Sequence, residues 1–243
     1  MTNMKALVVA EPRSMGWQQR SVPTPAAHEV LIKPIAAGIC GTDIHAWAGN
    51  QPFFSYPRVL GHELCGEVVA LGAAAQGFQP GQRVALIPYV ACQRCDACLS
   101  GKTNCCEQIS VIGVHQDGGF CEFLSVPDTN LLAVDDVAPE AAALIEPFAI
   151  SAHAVRRAAL VADEQVLVVG AGPIGLGVAA IAAAAGAQVV VADTSAQRRA
   201  HVAQQLQLAT LAPLADDFIA ALRAEFGGRL AAKVIDATGR PAA

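Results

Sequence analysis

Charged and aromatic residues are scarce in this sequence. Asp, Glu, Lys and Arg make up 15% of the 243 residues and aromatic residues 5%, whereas hydrophobic residues make up 53%. Because an average globular domain is about 25% charged, this composition excludes intrinsic disorder and favours a well-buried fold. The length allows one large domain or two modest ones, and we expect two.

The chain also lacks any run of Lys or Arg, and its formal net charge is -5. A nucleic acid or an anionic membrane surface would need a basic patch, so we expect neither as a partner. The apolar run at 6–10 is too short for a secretory signal, which predicts a cytoplasmic protein. A longer apolar run, 166–187, contains five glycines and Pro173; this punctuation predicts a strand, a turn and a helix in place of a membrane span.

The two halves of the chain differ in pattern. The first half shows short β-like segments separated by Pro and Gly turns, and helix is minor there. The second half alternates strands and helices, which is typical of a parallel sheet with helices on its faces. Pro147 suits the first turn of a connecting helix that runs to about residue 159. The predicted strands are 4–10, 29–36, 66–71, 83–87, 165–169, 188–192 and 233–236, and the predicted later helices are 173–185 and 196–206.

A dinucleotide-binding turn is predicted between the first strand and helix of the second half. Its residues fit G-x-G-x-x-G, with the positions Gly170, Gly172, Pro173, Ile174 and Gly175. In this context the glycines allow a sharp turn, a close approach of the pyrophosphate and tight helix packing, and the helix N-terminus faces the phosphates. The alternative is a structural glycine-rich turn without a ligand.

Asp193 ends the next predicted strand, 18 residues beyond Gly175. A carboxylate there would accept hydrogen bonds from the ribose hydroxyls of NAD and would repel the 2′-phosphate of NADP. Arg198 and Arg199 lie close enough in sequence to soften that exclusion. The predicted cofactor is therefore NAD.

Four cysteines form the strongest metal-binding pattern. Cys92, Cys95, Cys98 and Cys106 stand at C-x-x-C-x-x-C followed by one more after seven residues, a spacing that lets four thiolates surround one structural zinc. An iron–sulfur cluster is one alternative, but the spacing of the fourth cysteine suits it less well. A set of disulfides is the other, and the expected cytoplasmic compartment disfavours it. Cys105 is a rival for the fourth ligand.

A second group of potential ligands is dispersed along the chain. Cys40 opens the string Cys-Gly-Thr-Asp-Ile-His, His62 and Glu63 follow Gly61, and Glu146 lies far downstream. Thiolate, imidazole and carboxylate suit a catalytic zinc, which keeps one position open. A purely structural role for His62 is the alternative, and the neighbouring ligand types argue against it.

At these residues the sequence resembles the zinc-dependent medium-chain alcohol dehydrogenases. The string Gly61-His62-Glu63 with Gly66 and Gly72, the cysteine quartet and the glycine turn occur in the order that this family has. The resemblance implies an N-terminal GroES-like, β-rich catalytic domain over 1–148. A Rossmann doubly wound parallel sheet, truncated at its C-terminus, would follow over 149–243.

The resemblance also implies roles for individual residues. Within the polyol dehydrogenase branch, which Glu146-Pro147 resembles, Cys40, His62 and Glu146 would bind the catalytic zinc. Glu63 would lie beside the metal and exchange with Glu146 or water. The resemblance further implies that Asp43 holds the free nitrogen of His62. Trp47, Phe53 and Tyr56 would shape the substrate cleft or pack in a loop.

The expected reaction is hydride transfer from a secondary alcohol of a sugar acid or polyol to NAD. Thr42 would accept the hydroxyl proton and pass it through the cofactor ribose to His45, which exchanges protons with solvent. Sorbitol or threonine as substrate remains open, as does a non-catalytic zinc-binding role.

Two features depart from the family pattern. Gln82 stands where the family has aspartate, and the chain ends at Ala243, after the start of the second half of the nucleotide sheet. We expect the 243 residues to hold two zinc ions and the adenosine side of NAD; hydride transfer would also require the nicotinamide half of the pocket. A homo-oligomer is expected of the full-length form.

Overall fold

The computed structural model describes residues 3–239 of a chain that forms two compact units, Met1–Glu146 and Pro147–Ala243. The boundary lies inside one helix, Ile145–Ala158, whereas the predicted boundary followed residue 148. The outermost residues of the predicted domains, 1–2 and 240–243, lie outside the described part of the chain.

The first unit consists mainly of antiparallel strands. Its sheets have the strand orders β2-β1-β4, β10-β6-β5-β3-β9 and β7-β8. The strands are β1 (Asn3–Glu11), β2 (Ser14–Ser21), β3 (Glu29–Ala37), β4 (Arg58–Val59), β5 (Leu64–Leu71), β6 (Arg83–Leu86), β7 (Tyr89–Val90), β8 (Ser110–Val111), β9 (Leu124–Pro127) and β10 (Leu131–Ala133). The helices of this unit are α1 (Gly41–Ala48), α2 (Asp96–Leu99) and α3 (Pro139–Ala143), with 3-10 turns at Thr103–Cys105 and Asp128–Asn130.

The core of the first unit lies on the five-stranded sheet. Val30 and Ile32 on β3 and Val68 on β5 are fully or almost fully buried there. Val30 and Ile32 are two residues apart, so their side chains lie on the same face of β3, and that face is directed into the core. Burial of this face anchors β3 and β5 in register, with Ala37 opposite Leu64 at the end of the pair.

The second unit contains a parallel sheet with the order β13-β12-β11-β14. Strands β11 and β12 are buried almost throughout, because helices cover both faces of a parallel sheet of this kind. The elements are α4 (Ile145–Ala158), β11 (Gln165–Val169), α5 (Pro173–Ala184), β12 (Gln188–Ala192), α6 (Ala196–Leu206), β13 (Ala209–Leu211), α7 (Phe218–Glu225) and β14 (Lys233–Asp236).

The predicted fold class, a β-rich domain followed by a Rossmann-like parallel sheet, is confirmed. The apolar run 166–187 forms strand, turn and helix as predicted, and no helix within residues 3–239 has the length and apolarity needed to cross a membrane. The connecting helix α4 spans Ile145–Ala158, so Pro147 occupies its first turn as predicted. Strand β2 was missed because its side chains are almost all exposed and show no apolar alternation.

Candidate metal centres and cofactor turn

The end of β3 and the start of β5 bring the dispersed ligands of the first unit together. These two strands are antiparallel neighbours, and Ala37 on β3 pairs with Leu64 on β5. Cys40 follows the end of β3, and His62 and Glu63 directly precede β5, so residues far apart in sequence emerge at the same edge. The hydrogen bond from the Gly38 amide to the Glu63 carbonyl, 2.8 Å, extends this pairing toward the site.

Asp43 links the two ligand-bearing segments. Its side chain is 4% exposed, and its two oxygens accept hydrogen bonds from backbone amides. Oδ2 accepts from the Cys40 amide at 2.9 Å, and Oδ1 accepts from the Gly61 amide at 3.2 Å. Since Asp43 is the third residue of α1 and Cys40 its N-cap, this contact also caps the helix. One buried carboxylate therefore positions both Cys40 and the segment that carries His62.

His62 is oriented by the same carboxylate. Its Nδ1 atom lies 3.6 Å from Asp43 Oδ1, slightly beyond hydrogen-bond distance, and has no other partner among the described residues. In the metal-free protein, burial would lower the pKa of His62, but Asp43 and Cys40 outweigh it and raise the pKa to about 10. Because Nδ1 faces Asp43, Nε2 is the nitrogen left to bind a metal.

Cys40, His62 and Glu63 form a set that fits a zinc ion. One ligand atom from each residue lies within 4.8 Å of the others, and His62 and Glu63 are buried. A thiolate, an imidazole and a carboxylate are ligands that zinc accepts, and three protein ligands leave a fourth position open. Burial, together with the negative charge of Glu146, raises the pKa of Glu63, whereas His62 acts in the opposite direction.

Glu146 lies beside this set without belonging to it. Its carboxylate is buried in the first turn of α4, and its Oε1 atom accepts a hydrogen bond from the Tyr89 hydroxyl. It is close enough for its charge to act on the pKa of Glu63. The structure thus brings together Cys40, His62 and Glu63, whereas Glu146, also predicted as a ligand, lies outside this group and is hydrogen-bonded to Tyr89.

Tyr89 is a residue of the site that sequence reasoning did not assign. Burial and the hydrogen bond to Glu146 raise the pKa of Tyr89, so its hydroxyl keeps its proton and donates to the carboxylate. The buried Asn130 side chain donates to the carbonyls of Ile87, at 2.7 Å, and Tyr89, at 3.2 Å. No local signal marks this contact, because Tyr89 and Glu146 are 57 residues apart.

The predicted proton-relay residues both lie on α1. Thr42 is half-buried and His45 is exposed, and their i, i+3 spacing places them on neighbouring positions of one helix face. Of the predicted cleft aromatics, Phe53 is largely exposed, whereas Tyr56 packs against an apolar cluster and donates a hydrogen bond to the Ala46 carbonyl. Tyr56 therefore has a packing role.

The cysteine quartet converges in a separate lobe of the first unit. The sulfur atoms of Cys92, Cys95, Cys98 and Cys106 lie within 4.8 Å of one another. Sulfurs that share a tetrahedral zinc at about 2.3 Å would be about 3.8 Å apart, so the lobe has the right size for the ion. Cys105 is exposed and is not in the group, which removes the rival for the fourth position.

Backbone amides prepare the lobe for negative charge. In the metal-free lobe, hydrogen bonds from the amides of Arg94 and Cys95 lower the pKa of Cys92. The Cys106 sulfur accepts hydrogen bonds from the amides of Cys92 and Gln108, each at 3.3 Å. Amides directed at sulfur stabilise thiolates, the form that binds zinc.

The glycine turn of the second unit has the predicted context. Gly170 has φ +99°, a left-handed conformation that favours glycine, and a Cβ on Gly175 would overlap the Gly170 carbonyl oxygen. A Cβ on Gly172 would meet no atom within 4 Å. Gly172 is also the N-cap of α5, so open space lies at a helix N-terminus, as a pyrophosphate requires. A cleft of about 520 Å³ adjoins the turn and is lined in part by Ala171 and Arg198.

Asp193 stabilises the turn and carries a negative charge. Its Oδ2 atom accepts from the Ala171 amide and its Oδ1 atom from the Ser195 amide, both at 2.7 Å. Burial would raise the pKa of Asp193, but these amides and Arg198 outweigh it and hold the pKa below its ordinary value. Arg199 donates to the Asp193 carbonyl, whereas Arg198 is more exposed, with Nη1 3.7 Å from Asp193 Oδ2.

Comparisons with known proteins agree with this architecture. Residues 26–136 match the alcohol dehydrogenase GroES-like domain family, and residues 173–243 match the zinc-binding dehydrogenase family. The chain therefore belongs to the zinc-dependent medium-chain alcohol dehydrogenases, which confirms the predicted family and enzyme class.

Among individual proteins, the chain is 68% identical over 239 residues to L-galactonate-5-dehydrogenase of Escherichia coli strain K12. The match covers 98% of this chain and 70% of that protein. Strings within residues 41–63 and 88–92 of this sequence resemble that enzyme, and the similarity along nearly the whole chain confirms the likeness.

Two solved structures show the same fold. An alcohol dehydrogenase from Escherichia coli CFT073 complexed with NADH is 35% identical with a TM-score of 0.90, and the match covers 99% of this chain and 71% of that one. A zinc-binding dehydrogenase from Sinorhizobium meliloti 1021 bound to NADP is 34% identical with a TM-score of 0.85. That match covers 91% of this chain and 65% of the solved chain, so this sequence spans about two thirds of that structure.

Proposed function

We propose that this chain carries the zinc sites and the dinucleotide turn of an NAD-linked dehydrogenase that oxidises a secondary alcohol of a sugar acid, of the L-galactonate type. The observation that carries the proposal is the convergence of Cys40, His62 and Glu63 at one buried edge of the first unit. The 68% identity to the L-galactonate enzyme along nearly the whole chain supports the substrate class.

Cys40, His62 and a carboxylate would hold the catalytic zinc, and Cys92, Cys95, Cys98 and Cys106 would hold the structural one. When bound, the catalytic ion supplies a positive charge that lowers the pKa of a substrate hydroxyl. Four thiolates leave no open position, so the cysteine lobe stabilises the fold without taking part in the chemistry.

The protein side chains would orient the site and remove the proton. Asp43 keeps Cys40 and His62 in place through its amide contacts. Thr42 would accept the proton of the substrate hydroxyl from its half-buried position, and the exposed His45 would release a proton to solvent. Replacing His45 by Gln should lower turnover more at low pH than at high pH, because solvent hydroxide replaces the lost relay.

NAD is proposed as the cofactor, bound at the turn of Gly170, Gly172, Pro173, Ile174 and Gly175. The lowered pKa of Asp193 keeps a negative charge where an adenosine ribose would lie, which disfavours a 2′-phosphate. Its amide bonds use only part of the acceptor capacity of a carboxylate, so ribose hydroxyls can still be bound. The exposed Arg198 is the side chain that would weaken this preference.

The test of the substrate proposal is an activity panel with the product of the complete reading frame. NADH formation should give kcat/KM for L-galactonate at least about tenfold above that for sorbitol or L-threonine. A preference for L-threonine would instead favour the second candidate, which rests on 41% identity to an L-threonine 3-dehydrogenase of Chelativorans. Absence of turnover with every alcohol would contradict both candidates.

Two further properties are proposed with the function. All eight cysteines are free of disulfides, and thiolate zinc sites persist in a reducing compartment, so we place the protein in the cytoplasm. We also propose that the full-length protein is a homo-oligomer, which sedimentation of the purified protein would test.

A further inference from the structure

We propose that Tyr89 is a positioning residue that holds Glu146 away from the catalytic metal, so that Glu63 is the resting carboxylate ligand. The inference rests on the proposed metal site and deepens it. Tyr89 lies outside the ligand set but would decide which of the two carboxylates binds the ion.

Glu63 occupies its position because Gly38 has no side chain. A Cβ on Gly38 would overlap Glu63 Oε2 and would also contact the Cβ and Cδ atoms of Glu63. The Gly38 amide donates to the Glu63 carbonyl at 2.8 Å, so the backbone of this segment is fixed as well. The carboxylate thus lies directly against the Gly38 backbone, within 4.8 Å of the ligand atoms of Cys40 and His62.

Glu146 is held by a different contact. Its Oε1 atom accepts the hydrogen bond from Tyr89, and the carbonyl of Tyr89 accepts from the buried Asn130 side chain at 3.2 Å. Asn130 also donates to the Ile87 carbonyl at 2.7 Å, which fixes the backbone on both sides of Pro88. The phenol therefore projects from a firmly held segment, and a hydrogen bond between a hydroxyl and a buried carboxylate is of the stronger, charge-assisted kind.

The two carboxylates are carried by segments that pack against each other. Ile145, the residue before Glu146, lies in one apolar cluster with Ala36 near the end of β3 and Cys65 near the start of β5, the strand ends next to Cys40 and Glu63. If the Tyr89 hydroxyl is removed, Glu146 loses its donor while remaining buried, and an unpaired buried carboxylate gains by binding a cation. Tyr89 therefore sets the ligand choice without touching the metal.

The test measures zinc affinity by chelator competition on the purified chain, without substrate or cofactor. The cysteine lobe takes the first zinc, and the second equivalent reports the catalytic site. Glu63→Gln should weaken the second zinc by more than about tenfold, and adding Tyr89→Phe should recover at least about fivefold of that loss. Gly38→Ala, which displaces the Glu63 carboxylate, should likewise lose affinity and regain it with Tyr89→Phe.

Tyr56→Phe is the matched control, because Tyr56 is the other tyrosine of the chain and its hydroxyl donates to a backbone carbonyl. It should give no recovery in the Glu63→Gln protein. If the unmutated chain binds the second zinc but Tyr89→Phe recovers no affinity in the Glu63→Gln protein, the role of Tyr89 is overturned. The proposed function then remains intact. If the unmutated chain binds no second zinc, both proposals are overturned.

Discussion

Replacing Asp43 by Asn should loosen the catalytic metal site in a way that depends on pH. The amide oxygen of the introduced asparagine can accept only one of the two amide hydrogen bonds that Asp43 accepts, from Cys40 and Gly61. The other amide is left buried without an acceptor, which costs about 1–3 kcal/mol of unfolding free energy. The variant should therefore be less stable than the unmutated chain under all conditions where both fold.

The pH dependence follows from His62 in the metal-free protein. Its pKa rises from 6.5 to about 10 although burial acts downward, and Asp43 is the largest of the causes that raise it. A shift of that size corresponds to about 5 kcal/mol of net interaction with the protonated ring. Because the folded pKa is raised, this stabilisation is fully present below pH 6.5 and is lost as the pH rises through 10.

The assay is an NMR titration of the His62 ring in the metal-free chain, combined with urea unfolding. In the Asp43→Asn variant the pKa of His62 should fall by more than about one unit. The gap in unfolding free energy between the two proteins should accordingly narrow by at least about 1 kcal/mol from pH 6 to pH 10. An unchanged pKa of His62, or a gap that stays constant with pH, would show that Asp43 does not raise that pKa.

Five other substitutions test the remaining sites. Cys106→Ser should abolish the tightly bound zinc and lower stability, whereas Cys105→Ser should leave one zinc in the cysteine lobe; equal zinc contents by mass spectrometry would contradict this assignment. Gly172→Ala should weaken NADH binding by about tenfold or more without lowering the melting temperature, because its methyl group enters open space that the pyrophosphate needs. Gly175→Ala should lower the melting temperature itself, since its methyl group overlaps a backbone carbonyl, and equal melting temperatures for the two glycine variants would be inconsistent with the geometry. Asp193→Ser should shift the affinity ratio toward NADPH by removing the negative charge, and an unchanged ratio in fluorescence titrations would exclude that role.

Local patterns were sufficient for much of the fold. Strands β11, β12 and β14 and helix α6 have the predicted bounds, because a nearly continuous Val-rich run and an adjacent glycine turn leave few alternative structures. Strand β2 escaped prediction because exposed edge strands lack the apolar alternation that marks half-buried ones. Helix α1 was not predicted because the helix after the Cys40 N-cap is only eight residues long.

The metal ligands also differ in how far local sequence predicts them. The cysteine quartet is contained within 15 consecutive residues, so its spacing alone predicts a closed site. Glu146 was predicted as a ligand from family resemblance, yet in the structure it is hydrogen-bonded to Tyr89 and Glu63 lies with Cys40 and His62. Glu63 reaches this position because distant segments come together and because Gly38 has no side chain in the way. No local sequence pattern indicates either condition.

Zinc content per chain decides whether Cys40, His62 and a carboxylate bind a second metal ion. It is measured after equilibration in a zinc buffer and gel filtration. We predict two zinc ions in the unmutated chain and one in a folded Cys40→Ala/His62→Ala variant. One zinc ion in both proteins, or two in both, would show that Cys40 and His62 do not hold a second ion.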